Sequence, residues 1–342
     1  MIHPWLEDGW RELVALGERM PHALLFAGPP GVGKRDLADA LAARLLCVQP
    51  AADGQACGQC ATCALLRAGN HPDLFVVEPP ENEAPGEGET KAPRRSGQIV
   101  IDQIRALTES LTVTGHQSAR RVVVVEPAEA MNVYTANALL KLLEEPPTGC
   151  VLILVSSLPR RLLPTIRSRC RVWPVARPAP EQVDVWRAAN ADAAGLLDVA
   201  GGMPLAAARM ADKGLGEHLA RFVRDVSRLP ETDALALAGQ WEGWLRGKET
   251  TAAGFDIVVL VDWMQRWVAD LAALRLGGRL RFFPGERRTF ERLVARCGIA
   301  AVSNCYNDFA RIRRVAQHPL NTRLMLEDML LRYARALSGA SR

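Results

Sequence analysis

The chain has no apolar run approaching the ~20 residues that a membrane-spanning helix needs, so neither a span nor a membrane partner is expected. It opens MIHPWLEDGW, with two acids and no basic stretch ahead of an apolar one, so no secretory leader is expected. Net charge is also scarce: 42 Lys and Arg stand against 38 Asp and Glu, which leaves +4 over 342 residues. That is too little to bind nucleic acid by bulk charge, so any basic surface must be local. A cytoplasmic setting is the expectation, and disulfides are disfavoured there. The eight cysteines are then a question about metal.

Proline is scarce in one half only. Nineteen of the 22 prolines lie at or before Pro204, and Pro230, Pro284 and Pro319 follow. The last 130 or so residues therefore read as long helices. Trp263, Met264, Trp267, Val268, Leu271 and Leu274 form one helical apolar stripe, and Leu324, Met325, Met329, Leu330 and Tyr333 form another. The first ~175 residues alternate short apolar runs with helical patterns. Leu24–Ala27, Leu74–Val77, Val122–Val125 and Val151–Val155 are the expected strands of a parallel sheet covered by helices. Glu81 to Gly97 lacks any apolar period and reads as a mobile surface loop without a function of its own. At this length two or three domains are expected.

Gly28 to Lys34 read GPPGVGK, between the run Leu24–Ala27 and a helical stretch from Asp36 to Leu46. In a strand–loop–helix setting Gly28, Gly31 and Gly33 let backbone N–H groups close around phosphate oxygens, and Lys34 reaches the terminal phosphates. The next residue should be Ser or Thr, whose hydroxyl holds Mg²⁺. Here it is Arg35, a permanent cation with no lone pair for a metal. The loop is equipped to cradle ATP or ADP and poorly equipped to hydrolyse it.

Cys57, Cys60 and Cys63 are spaced C-x₂-C-x₂-C, and Cys47 lies upstream of them with nine residues between it and Cys57. Four thiolates from a short segment suit tetrahedral Zn²⁺, in a structural role because no coordination position stays open. A ferredoxin-type cluster would want a fourth Cys followed by Pro, where this chain has Arg67 and Ala68. The polar setting DGQACGQCATC is a poor place to bury plain thiols. Cys150, Cys170, Cys297 and Cys305 read as apolar fillers.

A second nucleotide motif should end an apolar strand in Asp-Glu. Val122–Val125 ends instead in Glu126-Pro127. Glu126 is able to replace the metal-side carboxylate at longer reach, but Pro127 cannot act as a base. Glu129, two residues on, is expected to project elsewhere.

Three elements carry a family resemblance: NALLKLLEEPP from Asn137 to Pro147, the strand Val151–Ser157, and Ser168-Arg169-Cys170. They resemble the clamp-loader branch of the AAA+ ATPases, and the four cysteines after the loop helix resemble its bacterial subunits. PHALLF, His71–Asp73 and NTRLMLEDMLLRY agree, so the likeness spans the chain.

The resemblance implies an α/β P-loop AAA+ domain over residues 1–170, with helices on both sheet faces and the zinc module at 47–63. A small helical lid over 171–211 and an all-α oligomerisation collar over 212–342 would follow. It implies that Arg169 acts in trans as an arginine finger on a neighbour's ATP site. A lone Arg169 among Arg160, Arg161, Arg167 and Arg171 would read as ordinary basic surface. The implied partners are gamma- or tau-like ATPases and a delta-like subunit, with the sliding clamp and primer–template DNA reached through the complex. The chain would be one component of a DNA polymerase holoenzyme, with neither polymerase nor significant ATPase activity of its own. Pro204 stands where active members carry a nucleotide-sensing lid arginine, a third departure beside Arg35 and Pro127. The competing readings are an active gamma- or tau-like motor and a P-loop kinase. Pro127 opposes the first, and the cysteines and SRC triplet do not fit the second.

Overall fold

The computed structural model describes residues 2–80, 97–112, 120–316 and 321–338. Most of the expected surface loop, residues 81–96, lies outside them. The chain divides into two compact units between Gln182 and Val183.

The first unit is built on a five-stranded parallel sheet of order β2-β3-β4-β1-β5. The strands are β1 (Ala23–Ala27), β2 (Leu74–Val77), β3 (Arg121–Val125), β4 (Cys150–Ser156) and β5 (Arg171–Pro174). Four stand where the apolar runs predict them. All seven residues of β4 are buried, as continuous apolar runs require when both faces of a parallel strand are covered. Leu25, Val123, Val125, Leu152 and Leu154 share one cluster with Ile104, Leu107, Leu139, Leu143 and Ile166. Those last five come from α4 (Ile101–Thr112), α5 (Val133–Glu144) and α6 (Pro164–Arg169). The helices α1 (Glu7–Ala15), α2 (Lys34–Leu46) and α3 (Ala61–Arg67) precede them. α2 packs on β1, β3 and β4, and its buried Leu37 and Leu41 stay outside that cluster, so helices cover both faces.

β5 has no counterpart among the expected strands. Only Trp173 of its four residues is buried, because an edge strand pairs on one side and needs no apolar run. It pairs with β1 through Leu24 to Ala27, so the sheet continues past residue 170.

The second unit is helical. It comprises most of α7 (Pro180–Ala189), then α8 (Ala191–Ala194), α9 (Pro204–Asp212), α10 (Leu215–Ser227), α11 (Ala234–Leu245) and α12 (Lys248–Ala252). It continues with α13 (Ile257–Arg275), α14 (Arg287–Val294), α15 (Ile299–Val315) and α16 (Thr322–Ser338). One core runs through it, from Leu196, Leu197 and Ala207 to Phe222, Trp241, Trp263, Trp267, Phe290 and Tyr333. The helices on either side of residue 211 thus bury their apolar faces together. The stripe Trp263, Met264, Trp267, Val268 and Leu271 is fully interior, with Leu274 packed at its margin. It is spent on this core rather than offered to a neighbour. In the last helix Met329, Leu330 and Tyr333 are buried, whereas Leu324 is exposed. Cys150, Cys170, Cys297 and Cys305 are buried free thiols. No described helix is long and apolar enough to cross a membrane.

Candidate phosphate, metal and arginine sites

β1 lies between β4 and β5 and delivers residues 28–33 to the start of α2. Gly31 and Gly33 have φ of 77° and 96°, left-handed values that favour glycine. Gly28 is required for a different reason: a Cβ there would lie 2.4 Å from the carbonyl oxygen of Val175. The Lys34 side chain is buried. Its Nζ donates to the Pro29 carbonyl at 2.8 Å and to Ser157 Oγ at 2.9 Å. Trp5 Nε1 donates to the Val32 carbonyl at 2.8 Å, so the N-terminal segment braces the loop.

Arg35 is the hub of the site. Its Nε donates to both carboxylate oxygens of Asp39, at 2.8 and 2.9 Å. Its Nη1 donates to Glu78, just beyond β2, and to Glu126 Oε2, just beyond β3, at 2.9 Å. Burial works to lower its pKa, but Glu78, Glu126 and Asp39 outweigh burial and hold the guanidinium above its usual range. Glu126, available in principle to a metal, is thus occupied by an arginine. Pro127 is exposed beside it.

Glu129 turns to the end of β4. Its Oε1 accepts from the backbone N–H groups of Ser157 and Leu158 at 3.0 and 3.2 Å, so it fixes the residue that receives Lys34. Ser157 and Glu129 are the parts of this site whose roles the sequence did not disclose. The only signal was a hydroxyl at the end of the fourth apolar run. Pro204 starts α9 in the second unit.

Cys47, Cys57, Cys60 and Cys63 converge, with all four Sγ atoms within 4.8 Å of one another. Cys47 to Cys60 and Cys57 to Cys63 are both 3.9 Å apart. Zn–S bonds of 2.3 Å in a tetrahedron place sulfurs about 3.8 Å apart, so the cluster has the dimensions to hold a metal ion. Cys47 follows the last residue of α2, and Cys60 caps the short α3 that carries Cys63. Backbone N–H groups point at sulfur: Cys57 N to Cys47 Sγ at 3.3 Å, Cys60 N to Cys57 Sγ at 3.4 Å, and Gln59 N to Cys57 Sγ at 3.5 Å. The Thr62 hydroxyl, 3.0 Å from Cys60 Sγ, leads the hydrogen bonds that push the Cys60 thiol down to about 5. N–H donors from Gln59 and Cys60 lower Cys57, while burial pushes Cys63 up to about 12. Thiolates prepared by hydrogen bonds are the form that binds metal.

Arg169 ends α6, away from the loop in sequence and in its contacts. Its Nη2 pairs with Glu144 Oε1 at 2.6 Å and its Nη1 donates to the Thr165 carbonyl at 3.1 Å. The side chain is 36% exposed, and Arg160, Arg161, Arg167 and Arg171 are exposed too. Cys170 beside it is buried and anchors the triplet.

A sequence profile described as "DNA polymerase III, delta subunit" matches residues 12–178. The chain is 40% identical to DNA polymerase III subunit delta′ of Pseudomonas aeruginosa over 283 residues, 80% of this chain and 78% of that one. It is 34% identical to the Escherichia coli protein of the same name over 246 residues, 70% of this chain and 68% of the other. Among solved structures, a DNA polymerase III gamma subunit-related protein of Thermotoga maritima aligns over 97% of this chain and 99% of its own, at 18% identity and a TM-score of 0.48.

Proposed function

This chain belongs to the DNA polymerase III delta′ subunit family, and from that membership we propose that it is a non-hydrolysing subunit of the clamp loader. It assembles in the cytoplasm with gamma- or tau-like ATPases and a delta-like subunit, and helps them place the sliding clamp on primer–template DNA. Its own contribution to hydrolysis is Arg169, offered in trans to a neighbour's nucleotide. The observation that carries this reading is the contrast between the two arginines. Arg35 is tied to three carboxylates, those of Asp39, Glu78 and Glu126, in the place where a hydrolysing site holds its metal. Arg169 stands at the end of α6 on the same unit with one carboxylate partner, Glu144. The phosphate loop retains ATP or ADP without turnover. The division into AAA+ domain, helical lid and collar over 212–342 is part of the same reading, with the lid following β5, which keeps residues 171–174 in the sheet, and with the C-terminal helices as the assembly region.

Steady-state hydrolysis by the purified chain tests it. Turnover is expected at background even at saturating Mg²⁺, because position 35 offers no hydroxyl and Pro127 no base. Turnover that disappears on Lys34→Ala would mark the chain as a motor instead.

The cysteine cluster holds one structural zinc. Binding favours the folded segment over the unfolded one, so Cys60→Ser should expose residues 47–70 to hydrogen exchange while leaving the helices beyond residue 183 protected. Elemental analysis should find one zinc per chain in gently purified protein, and iron or no metal there would refute the assignment.

A further inference from the structure

We propose that Arg35 is a resident cation in the place of the divalent ion, so that the phosphate loop takes nucleoside di- or triphosphate free of metal. The inference rests on the reading that the loop retains nucleotide, and it adds the chemical form of the ligand. In a hydrolysing P-loop site the residue after the lysine gives a hydroxyl to Mg²⁺, a carboxylate at the end of a neighbouring strand completes the metal's shell, and the metal neutralises phosphate. Here the same two places are joined by protein. Arg35 follows Lys34 directly, and its Nη1 lies 2.9 Å from Glu126 Oε2, beyond β3. The contact to Glu78 beyond β2 and the two bonds to Asp39 on α2 fix the guanidinium from three sides.

A divalent ion would have to break these contacts to reach Glu126, and would meet a fixed positive charge once there. A guanidinium has five N–H donors. Nε and Nη1 account for three of them, which leaves Nη2 without a partner among the described residues. The side chain is 34% exposed, and an N–H pair of this kind suits phosphate oxygens. Lys34 lies next to it at the turn, with Nζ donating to the Pro29 carbonyl and the Ser157 hydroxyl. Three carboxylates around one arginine also set a limit: the site carries less positive charge than one with Mg²⁺, so its affinity is modest.

The test is titration of the full-length chain with fluorescent ADP and ATP in resin-treated buffer, with and without added Mg²⁺. Resin is used rather than a strong chelator so that the cysteine cluster keeps its metal. The wild type is expected to bind without added metal and to gain nothing from Mg²⁺, which withdraws the free nucleotide into its Mg²⁺ complex. Arg35→Thr restores the hydroxyl and frees the carboxylates, so its binding should become Mg²⁺-dependent by on the order of tenfold or more, the worth of one charge-assisted hydrogen bond. Glu126→Gln keeps an acceptor for Arg35 and removes one negative charge, so metal-free binding should tighten. If Glu126 served a bound metal, the same change would weaken binding in Mg²⁺. Binding by the wild type only with Mg²⁺ overturns the proposal and leaves nucleotide retention standing. Binding in neither buffer overturns both.

Discussion

Replacing Arg169 by alanine is expected to leave the subunit folded and incorporated, and to lower hydrolysis at the interface it completes by on the order of 10³-fold or more. The fold loses little. Arg169 is more than a third exposed, and its ion pair with the still more exposed Glu144 is of the kind worth about 0–1 kcal/mol. The anchoring of this segment comes from buried Ile166 and Cys170, which the substitution does not touch. Against a partner's triphosphate, as proposed, the same charge would stabilise the phosphoryl group in transfer, in a water-poor interface where it counts for far more. Arg169→Lys should restore little, because an ammonium lacks the forked geometry that matches phosphoryl oxygens. The measurement is ATPase and clamp loading by complexes reconstituted at matched occupancy. Hydrolysis unchanged by Arg169→Ala would return the residue to basic surface.

The largest expected loss of stability lies in the second unit, at Asp270. This carboxylate is 1% exposed on α13, inside an aromatic core. It accepts from the backbone N–H groups of Arg281, Phe282 and Phe283 at 2.9, 2.8 and 2.8 Å. It thereby pins the segment after α13 and seats Phe283 against Trp267 and Phe222. Asp270→Ala leaves these donors without partners, at about 1–3 kcal/mol each for buried groups, so a loss on the order of 4 kcal/mol is expected. Asp270→Asn should recover only part, since its amide sets a donor against a donor. Denaturant unfolding monitored by tryptophan fluorescence reads this directly, as a fall in midpoint. A change below about 1 kcal/mol, the range of ordinary surface substitutions, would show that the segment finds other acceptors. Because the aromatic core spans the C-terminal helices, incorporation into the complex should fall with it.

Much of this site was legible in the chain itself, for local reasons. Gly31, Gly33 and Lys34 lie within a few residues of one another, so their spacing alone determines the left-handed turn that leads into α2. Cys57, Cys60 and Cys63 sit on one short turn, and geometry within a turn does not depend on the rest of the fold. Buried parallel strands announce themselves as unbroken apolar runs, which is why β1 to β4 could be read and β5, half-covered at the edge, could not. Absences were equally local: the missing hydroxyl at Arg35 and the missing base at Pro127 needed no structure.

The sequence by itself therefore determined the class of fold, the glycine loop ahead of Lys34, the cysteines that could hold a metal and the two residues a hydrolysing site would lack. Only the tertiary structure decided where the charges go. Arg35 meets Glu78 and Glu126 across 43 and 91 residues, and Lys34 meets Ser157 across 123. These meetings follow from the strand order β2-β3-β4-β1-β5, which gathers the carboxyl ends of parallel strands at one edge, where such sheets place their ligands. The apolar stripe of α13 shows the same limit from another side. Periodicity says that a face must be buried, but whether it is covered by its own chain or by a neighbour depends on how the other helices pack. Here they close over Trp263 and Trp267, because apolar surface left in water is costlier than the same surface packed within the chain.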